Sequence, residues 1–481
     1  MIDEICCYTN AYANEHIIAG SHSSYTKADG SWKDTTPEEI NRLIALLIYF
    51  GLVKVRTNVE KYWSIKSLFH GLWARSIMSR LRFKALMALL HVVDPGAETP
   101  GDKLHKVNSF VNYFKSRCAA LYQPRQNLAI DELMVKSRHR SGIRQYIKDK
   151  PTKWGIKLWV LADSSNGYTV DFNVYVGRAA AGEVSDHGLG YDVVVKLMQP
   201  YVNQGYHLYI DNFYTSSVLV KYLFQQGVPT TGTIRENSRG FPQNLKNGAQ
   251  WSKASNVQRG SMRWETDPPI LALQWLDNKV VSLLTTIESA NDSLQVNCKT
   301  KTAGVWSTNV VQQPQAVASY NQYMNAVDRS DQILATHSVS RKCMRWWKAL
   351  FFHLIDIAVV NSFILFREHQ SRFPGNAALK RTADYSLAHF REEIVRNICG
   401  FEEYMEPPAA TKPIANPNQF VTDHVPVMTT EKRNCVVCYK LHKFEKQVHT
   451  KCSAPQCDKY MHITQTNHNC FQLFHTREYH C

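Results

Sequence analysis

Three aspartates, far apart in the chain, sit where a carboxylate can do chemistry. Asp131 closes the apolar run "NLAID" and Asp211 closes "HLYID". The segment "YNQYMNAVDRSDQ" carries Asn321, Asn325, Asp328 and Asp331 at helical spacing, so all four share one helix face. Neighbouring parallel strands that each end in Asp present both groups at one sheet edge. A free Asp titrates near about 3.9, so gathered Asp side chains are all charged at neutral pH and repel one another. Divalent cations remove that repulsion, and an all-oxygen donor set favours hard ions such as Mg²⁺ or Mn²⁺. Two such ions roughly 3.5–4 Å apart activate a water or a terminal hydroxyl and stabilise the leaving oxygen of a phosphodiester. Glu132 follows Asp131 on a strand, is expected on the opposite sheet face, and is left out of the metal set.

Beside Asp131 runs a cationic strap: Lys136, Arg138, Arg140, Arg144, Lys148, Lys150, Lys153 and Lys157, interrupted by a single acid, Asp149. Such a strap either contacts the phosphates of double-stranded DNA or is a solvated basic loop. The formal net charge of +15 is compatible with nucleic acid, an anionic membrane surface or acidic protein partners, and decides nothing alone. In "SIMSRLRFKALMALLHVV" (76–93) the cations Arg80, Arg82 and Lys84 are equally a solvated face or a DNA-facing one. Trp346-Trp347, among Arg341, Lys342, Arg345 and Lys348, are expected to put at least one ring in the core.

Six of the 12 Cys fall between Cys435 and Cys481. "CVVC" (435–438) is a zinc-type knuckle, followed by Cys452, Cys457, His462, His468, Cys470 and His475. These eight residues suffice for two interleaved tetrahedral Zn²⁺ sites, structural because no position stays open. His449, His480 and Cys481 are possible substitutes for His462 or His468.

The elements that position these groups follow from pattern. With 44% hydrophobic and 20% charged residues the chain is globular, and 481 residues allow two to four domains. Residues 1–125 read as helical, with Thr36 and Pro37 opening one helix. Residues 126–235 read as three strands, a helix, a strand, a helix and a strand, a mixed α/β layer. Residues 236–312 are irregular, with one strand at "KVVSLLTTI", and read as an insertion. Helices return over 313–372, a helical segment and linker fill 373–430, and the Cys-rich region closes 431–481. The most apolar run, "FFHLIDIAVVNSFILF" (351–366), is too short and polar for a membrane span and reads as a buried helix. "MIDEICCYTN" lacks signal-peptide features, so a reducing compartment is expected.

"IDE" with its basic segment, "KPTKWGIKLWVLADS", "YIDNFYTS", "SYNQYMNAVDRSDQ" and "SRKCMRWWKALFFHLIDIAVVNSF", in this order, resemble the piggyBac family of DNA transposases over roughly residues 35–480. The resemblance implies an RNase H-like α/β catalytic domain with a β-rich insertion. Helical regions for DNA binding and dimerisation would flank it, and a C-terminal zinc domain would read transposon ends. It also implies cut-and-paste transposition at TTAA targets through nicks and hairpins, by a homodimer in the nucleus. The catalytic acids matched residue by residue are Asp131, Asp211 and Asp328, with Asp331 in support. Two departures stand out. Asn325-Ala326 replaces a Gly-Gly common in the family, and the chain begins almost directly with its helical region where the family often carries an acidic tail. Two other readings remain open: a domesticated DNA-binding protein without transposition activity, and a RING- or PHD-like protein-binding zinc module.

Overall fold

The computed structural model describes residues 1–20, 32–56, 58–65, 72–97, 99, 101–139, 141–148, 150–177, 185–302, 304–343, 345–401, 424–463 and 469–475. They form two compact units, Met1–Phe401 and Glu402–Cys481.

The first unit opens with helices α1 (Ile2–Ile18), α2 (Pro37–Leu52), α3 (Ala74–Ile77), α4 (Arg80–Leu89) and α5 (Asn108–Leu121). Thr36 caps α2 by accepting the Glu39 N–H at 3.3 Å, with Pro37 in the first turn. The 76–93 stretch falls across two helices, the end of α3 and the whole of α4. Ser79 is extended and caps α4 through the Arg82 N–H at 3.2 Å, which ends α3 before it. All three cations there have acid partners: Arg82 with Glu39 at 2.5 Å, Arg80 with Glu60 at 3.5 Å, and Lys84 with Glu60. That face is an ion-paired surface.

The central layer contains β1 (Asn127–Lys136), β2 (Arg144–Tyr146), β3 (Trp154–Asp163), β4 (Thr169–Val174), α6 (Leu189–Met198), β5 (His207–Ile210), α7 (Ser217–Gln225) and β6 (Thr230–Thr233). The 236–312 stretch adds α8 (Gly248–Trp251), β7 (Met262–Asp267), β8 (Ile270–Leu276), β9 (Val280–Thr285), β10 (Ser293–Thr302) and β11 (Val305–Pro314). One nine-stranded sheet results, ordered β2-β3-β1-β5-β6-β9-β8-β7, with β4 on β3. The stretch read as an insertion therefore extends the same sheet, because β9 pairs with β6. Every residue of β8 is buried, which a strand covered on both faces requires. The β10–β11 ribbon forms a sheet of its own.

Helices α9 (Gln315–Tyr323), α10 (Ala326–Thr336), α11 (Trp347–Arg372) and α12 (Leu387–Cys399) follow. At 26 residues α11 outruns the apolar stretch seen in the sequence and passes a membrane-span test on length and composition. Two-thirds of its most apolar window lies inside the protein, so it is a core helix here. Trp347 on it is fully buried and Trp346 half-buried. Asp356 of α11 pairs with Arg391 of α12 at 3.2 Å, both side chains enclosed. The second unit holds β12 (Pro426–Asn434), α13 (Val436–His442), β13 (Gln447–Cys452) and α14 (Cys470–His475).

Candidate functional site

Strands β1 and β5 run parallel with Ile130 opposite Ile210, so Asp131 and Asp211 come next, side by side. β1 does not stop at Asp131, as its apolar run suggested. It continues to Lys136 against β3, and only its pairing with β5 ends there. Beyond that point the Asp131 carboxylate takes the Glu132 N–H at 2.7 Å. This draws the two acids together, and ligand oxygens of Asp131, Glu132 and Asp211 lie within 4.8 Å of one another. Glu132 thus belongs to the cluster, contrary to the expectation from strand alternation. A tight turn holds Asp211: its carboxylate accepts the Phe213 N–H at 2.9 Å, and its carbonyl accepts the Thr215 hydroxyl at 2.8 Å.

The electrostatics follow from enclosure. Burial pushes the Asp131 carboxyl up to about 7; the Lys150 ammonium opposes the shift, and the Glu132 and Asp211 charges add to it. Burial also raises Asp211, against the Phe213 N–H and with the Glu132 charge. Lys150 Nζ lies 3.9 Å from Asp131 and 3.8 Å from Glu132, and Lys157 Nζ lies 4.0 Å from Glu132. Burial lowers Lys157, which also sits 4.8 Å over the Phe213 ring. Tyr214 is buried in the field of the same acids, and its hydroxyl has no hydrogen-bond partner among the described residues. Carboxylates driven toward protonation by burial, with only oxygens as donors, fit a hard divalent cation.

Asp328 and Asp331 arrive on α10, which packs on β1 and β3. The continuous helix expected over 321–331 is broken, with α9 ending at Tyr323 and Asn325 preceding α10. The Asn325 side chain competes for the helix backbone by donating to the Asn321 carbonyl at 3.0 Å. Asp328 is exposed in the first turn of α10 and lies outside the group of three carboxylates. Asp331 is exposed as well; partial desolvation raises it, then the Asp328 charge, against the pull of Lys150.

The cationic strap is a folded ribbon, because β2 pairs with the start of β3. Lys150 and Lys157 point into the acid cluster. Arg144 stacks on Trp154 at 4.5 Å and donates to the Arg138 carbonyl at 3.3 Å. Lys136, Arg138, Lys148 and Lys153 are exposed, and Arg140 lies outside the described residues.

In the second unit the ligand types fall into two groups of four. Cys435, Cys438, His462 and Cys470 form one, all buried; His424, Cys452, Cys457 and His475 form the other. Cys438 Sγ is 3.7 Å from Cys470 Sγ, and His462 Nδ1 is 3.4 Å from Cys435 Sγ. In the other group Cys457 Sγ is 3.6 Å from His475 Nε2, and His424 Nδ1 is 3.2 Å from Cys452 Sγ. A tetrahedron with arms of about 2.3 Å has edges of roughly 3.8 Å, so both donor sets fit zinc. The groups alternate along the chain: His424, then Cys435 and Cys438, then Cys452 and Cys457, then His462 and Cys470, then His475. His424 was missed, having no knuckle partner nearby in sequence. His468, His480 and Cys481 lie outside the described residues, and His449 is exposed and in neither group.

The family described as Transposase IS4 matches residues 1–363. Human PiggyBac transposable element-derived protein 3 is 25% identical over 456 residues, which are 91% of this chain and 73% of that protein. Human PiggyBac transposable element-derived protein 2 is 25% identical over 69% of this chain and 56% of its own length. A cryo-EM structure of a piggyBac transposase synaptic complex with hairpin DNA superposes with a TM-score of 0.68 at 26% identity, covering 96% of this chain and 92% of that one.

Proposed function

We propose that this chain, which belongs to the piggyBac transposase family, is a cut-and-paste DNA transposase that nicks transposon ends and joins them to TTAA targets. The observation that carries the proposal is the gathering of Asp131, Glu132 and Asp211 where parallel strands β1 and β5 part. The sheet with α10 across it is taken as RNase H-like. The solved neighbour is a complex with hairpin DNA, and double-stranded DNA is the substrate proposed here.

Asp131, Asp211 and Glu132 would hold Mg²⁺ or Mn²⁺, with Asp328 approaching on α10 and Asp331 behind it. Bound cations supply an activated nucleophile and charge stabilisation at the leaving oxygen. The chain's own part is to exclude water with the buried Tyr214, to balance the carboxylates with Lys150 and Lys157, and to grip backbone phosphates with Lys136, Arg138, Lys148 and Lys153. The zinc unit would read sequence in the transposon ends, and the chain would act as a homodimer in the nucleus.

The test is nicking of a duplex carrying candidate terminal repeats by the full chain with Mg²⁺. Activity that vanishes in Asp211→Ala supports the proposal. The place of Asp328 outside the carboxylate group favours a second reading, a DNA-binding relative that no longer cuts. Binding of its own ends without nicking would select that reading.

A further inference from the structure

A cleft of about 300 Å³ lies between the end of β1 and the segment leading into α11. Lys136, Ser137, Arg138 and His139 form one wall, and Arg341 and Lys342 the other; no acid among the described residues lines it. Ser137 is 3% exposed, yet its hydroxyl has no hydrogen-bond partner among the described residues. Leaving a buried hydroxyl unpaired forfeits its hydration with nothing in return, so such groups ordinarily meet a partner.

Arg341 gives the second observation. Its guanidinium lies 3.9 Å over the Phe50 ring and donates to the Tyr62 hydroxyl at 3.2 Å, which fixes its direction. No carboxylate pairs with it among the described residues. Arg82 and Arg381, partly enclosed, and Arg391, fully buried, each have one. An oriented cation in a partly closed cleft, with other cations around it and no counter-charge, is built for an anion from outside the chain.

We propose that this cleft binds a tetrahedral phosphate group, with Arg341 and Lys342 supplying charge and the Ser137 hydroxyl donating to one oxygen. His139, held 3.9 Å from the Cys343 sulfur, sits at the rim. The pocket is distinct from the carboxylate cluster, which is lined by acids. It rests on the proposed function only for the source of the phosphate, a DNA backbone or the free ion.

The first measurement uses inorganic phosphate as the probe. The melting temperature of the full chain is followed against phosphate, with chloride at matched ionic strength as reference. The wild type is expected to be stabilised by phosphate beyond chloride. Lys342→Gln, at an exposed position, should raise the phosphate concentration needed about tenfold, and Ser137→Val should do the same by putting a methyl where an oxygen would sit. Equal stabilisation by both salts, or an unchanged response in Lys342→Gln, overturns the pocket even if Ser137→Val fails to fold.

The second measurement is the salt dependence of duplex DNA binding. One phosphodiester held in the cleft predicts that Lys342→Gln lowers the log–log slope by about 0.9. Phosphate-specific stabilisation with an unchanged slope supports the pocket and assigns it to the free ion. A wild type that binds phosphate but no DNA defeats the proposed function and leaves the pocket standing.

Discussion

The carboxylate cluster and the Cys/His unit both bring ligand atoms within 4.8 Å of one another, but they stand on different foundations. In the Cys/His unit the ligands are the core: Cys435, Cys438, Cys452 and Cys470 are buried among Val437, Met461 and Phe471. The carboxylates ride on a sheet whose core is complete without them, with Leu128, Ala129, Ile130, Leu208 and Ile210 all fully enclosed. On the proposed reading, metal would be folding energy in one region and chemistry in the other.

The sharpest way to break this contrast is chelation. Binding of structural zinc in small domains is worth on the order of 10 kcal/mol. Stripping zinc from the full chain should open the 424–475 region to protease while 1–401 stays resistant. Zinc release detected with a dye but no new cleavage in that region would remove the distinction.

Acid tests it next, because both regions should weaken for different reasons. His353 on α11 is partly buried, its Nε2 is enclosed without a hydrogen-bond partner among the described residues, and burial pushes it down to about 4. The unfolded chain takes up this proton near about 6.5 while the folded chain refuses it. The stability it contributes is present above that pH and is lost as pH falls toward 4, by up to about 3 kcal/mol. Hydrogen exchange in α11 at pH 4.5 and 7 should show the loss, and His353→Leu should flatten it. In the Cys/His unit, protons compete with metal instead, so added zinc should rescue it and leave α11 unchanged. An α11 response that is the same in His353→Leu would refute the assignment to this residue.

The smallest effect concerns Glu132, which the structure adds to the acids. Glu132→Gln should raise the Mg²⁺ needed for half-maximal nicking about tenfold, or about 1.4 kcal/mol, without abolishing the reaction as Asp211→Ala should. An unchanged Mg²⁺ requirement would leave Glu132 as no more than a partner for Lys150 and Lys157.

Much of the fold was legible because its signals are local. Apolar runs marked β1, β3, β4, β5, β6 and β9, and Thr36 marked a helix start where the chain places it. What stayed hidden depended on partners distant in sequence. β7 and β8 extend the central sheet only through β9, and nothing in their residues names that neighbour. The break between α9 and α10 turns on one Asn side chain taking a carbonyl. Alternation put Glu132 on the far face, yet its carboxylate lies with those of Asp131 and Asp211 just past the point where the β5 pairing ends. In the Cys/His unit, seven of the eight grouped residues were read from composition and spacing, and the eighth, His424, was not.

The sequence by itself determined which residue types are available: acids at the ends of apolar runs, cations in a strap, and paired Cys and His near the C-terminus. It also determined the order of most elements, since helix and strand periodicity are properties of short segments. Only the tertiary structure decided which charges face each other. It turned Lys150 and Lys157 toward the acids, gave Arg82 a partner in Glu39, and left Arg341 without an acid among the described residues. The reason is that an ion pair depends on distance and burial across the sheet, and neither is a function of separation along the chain.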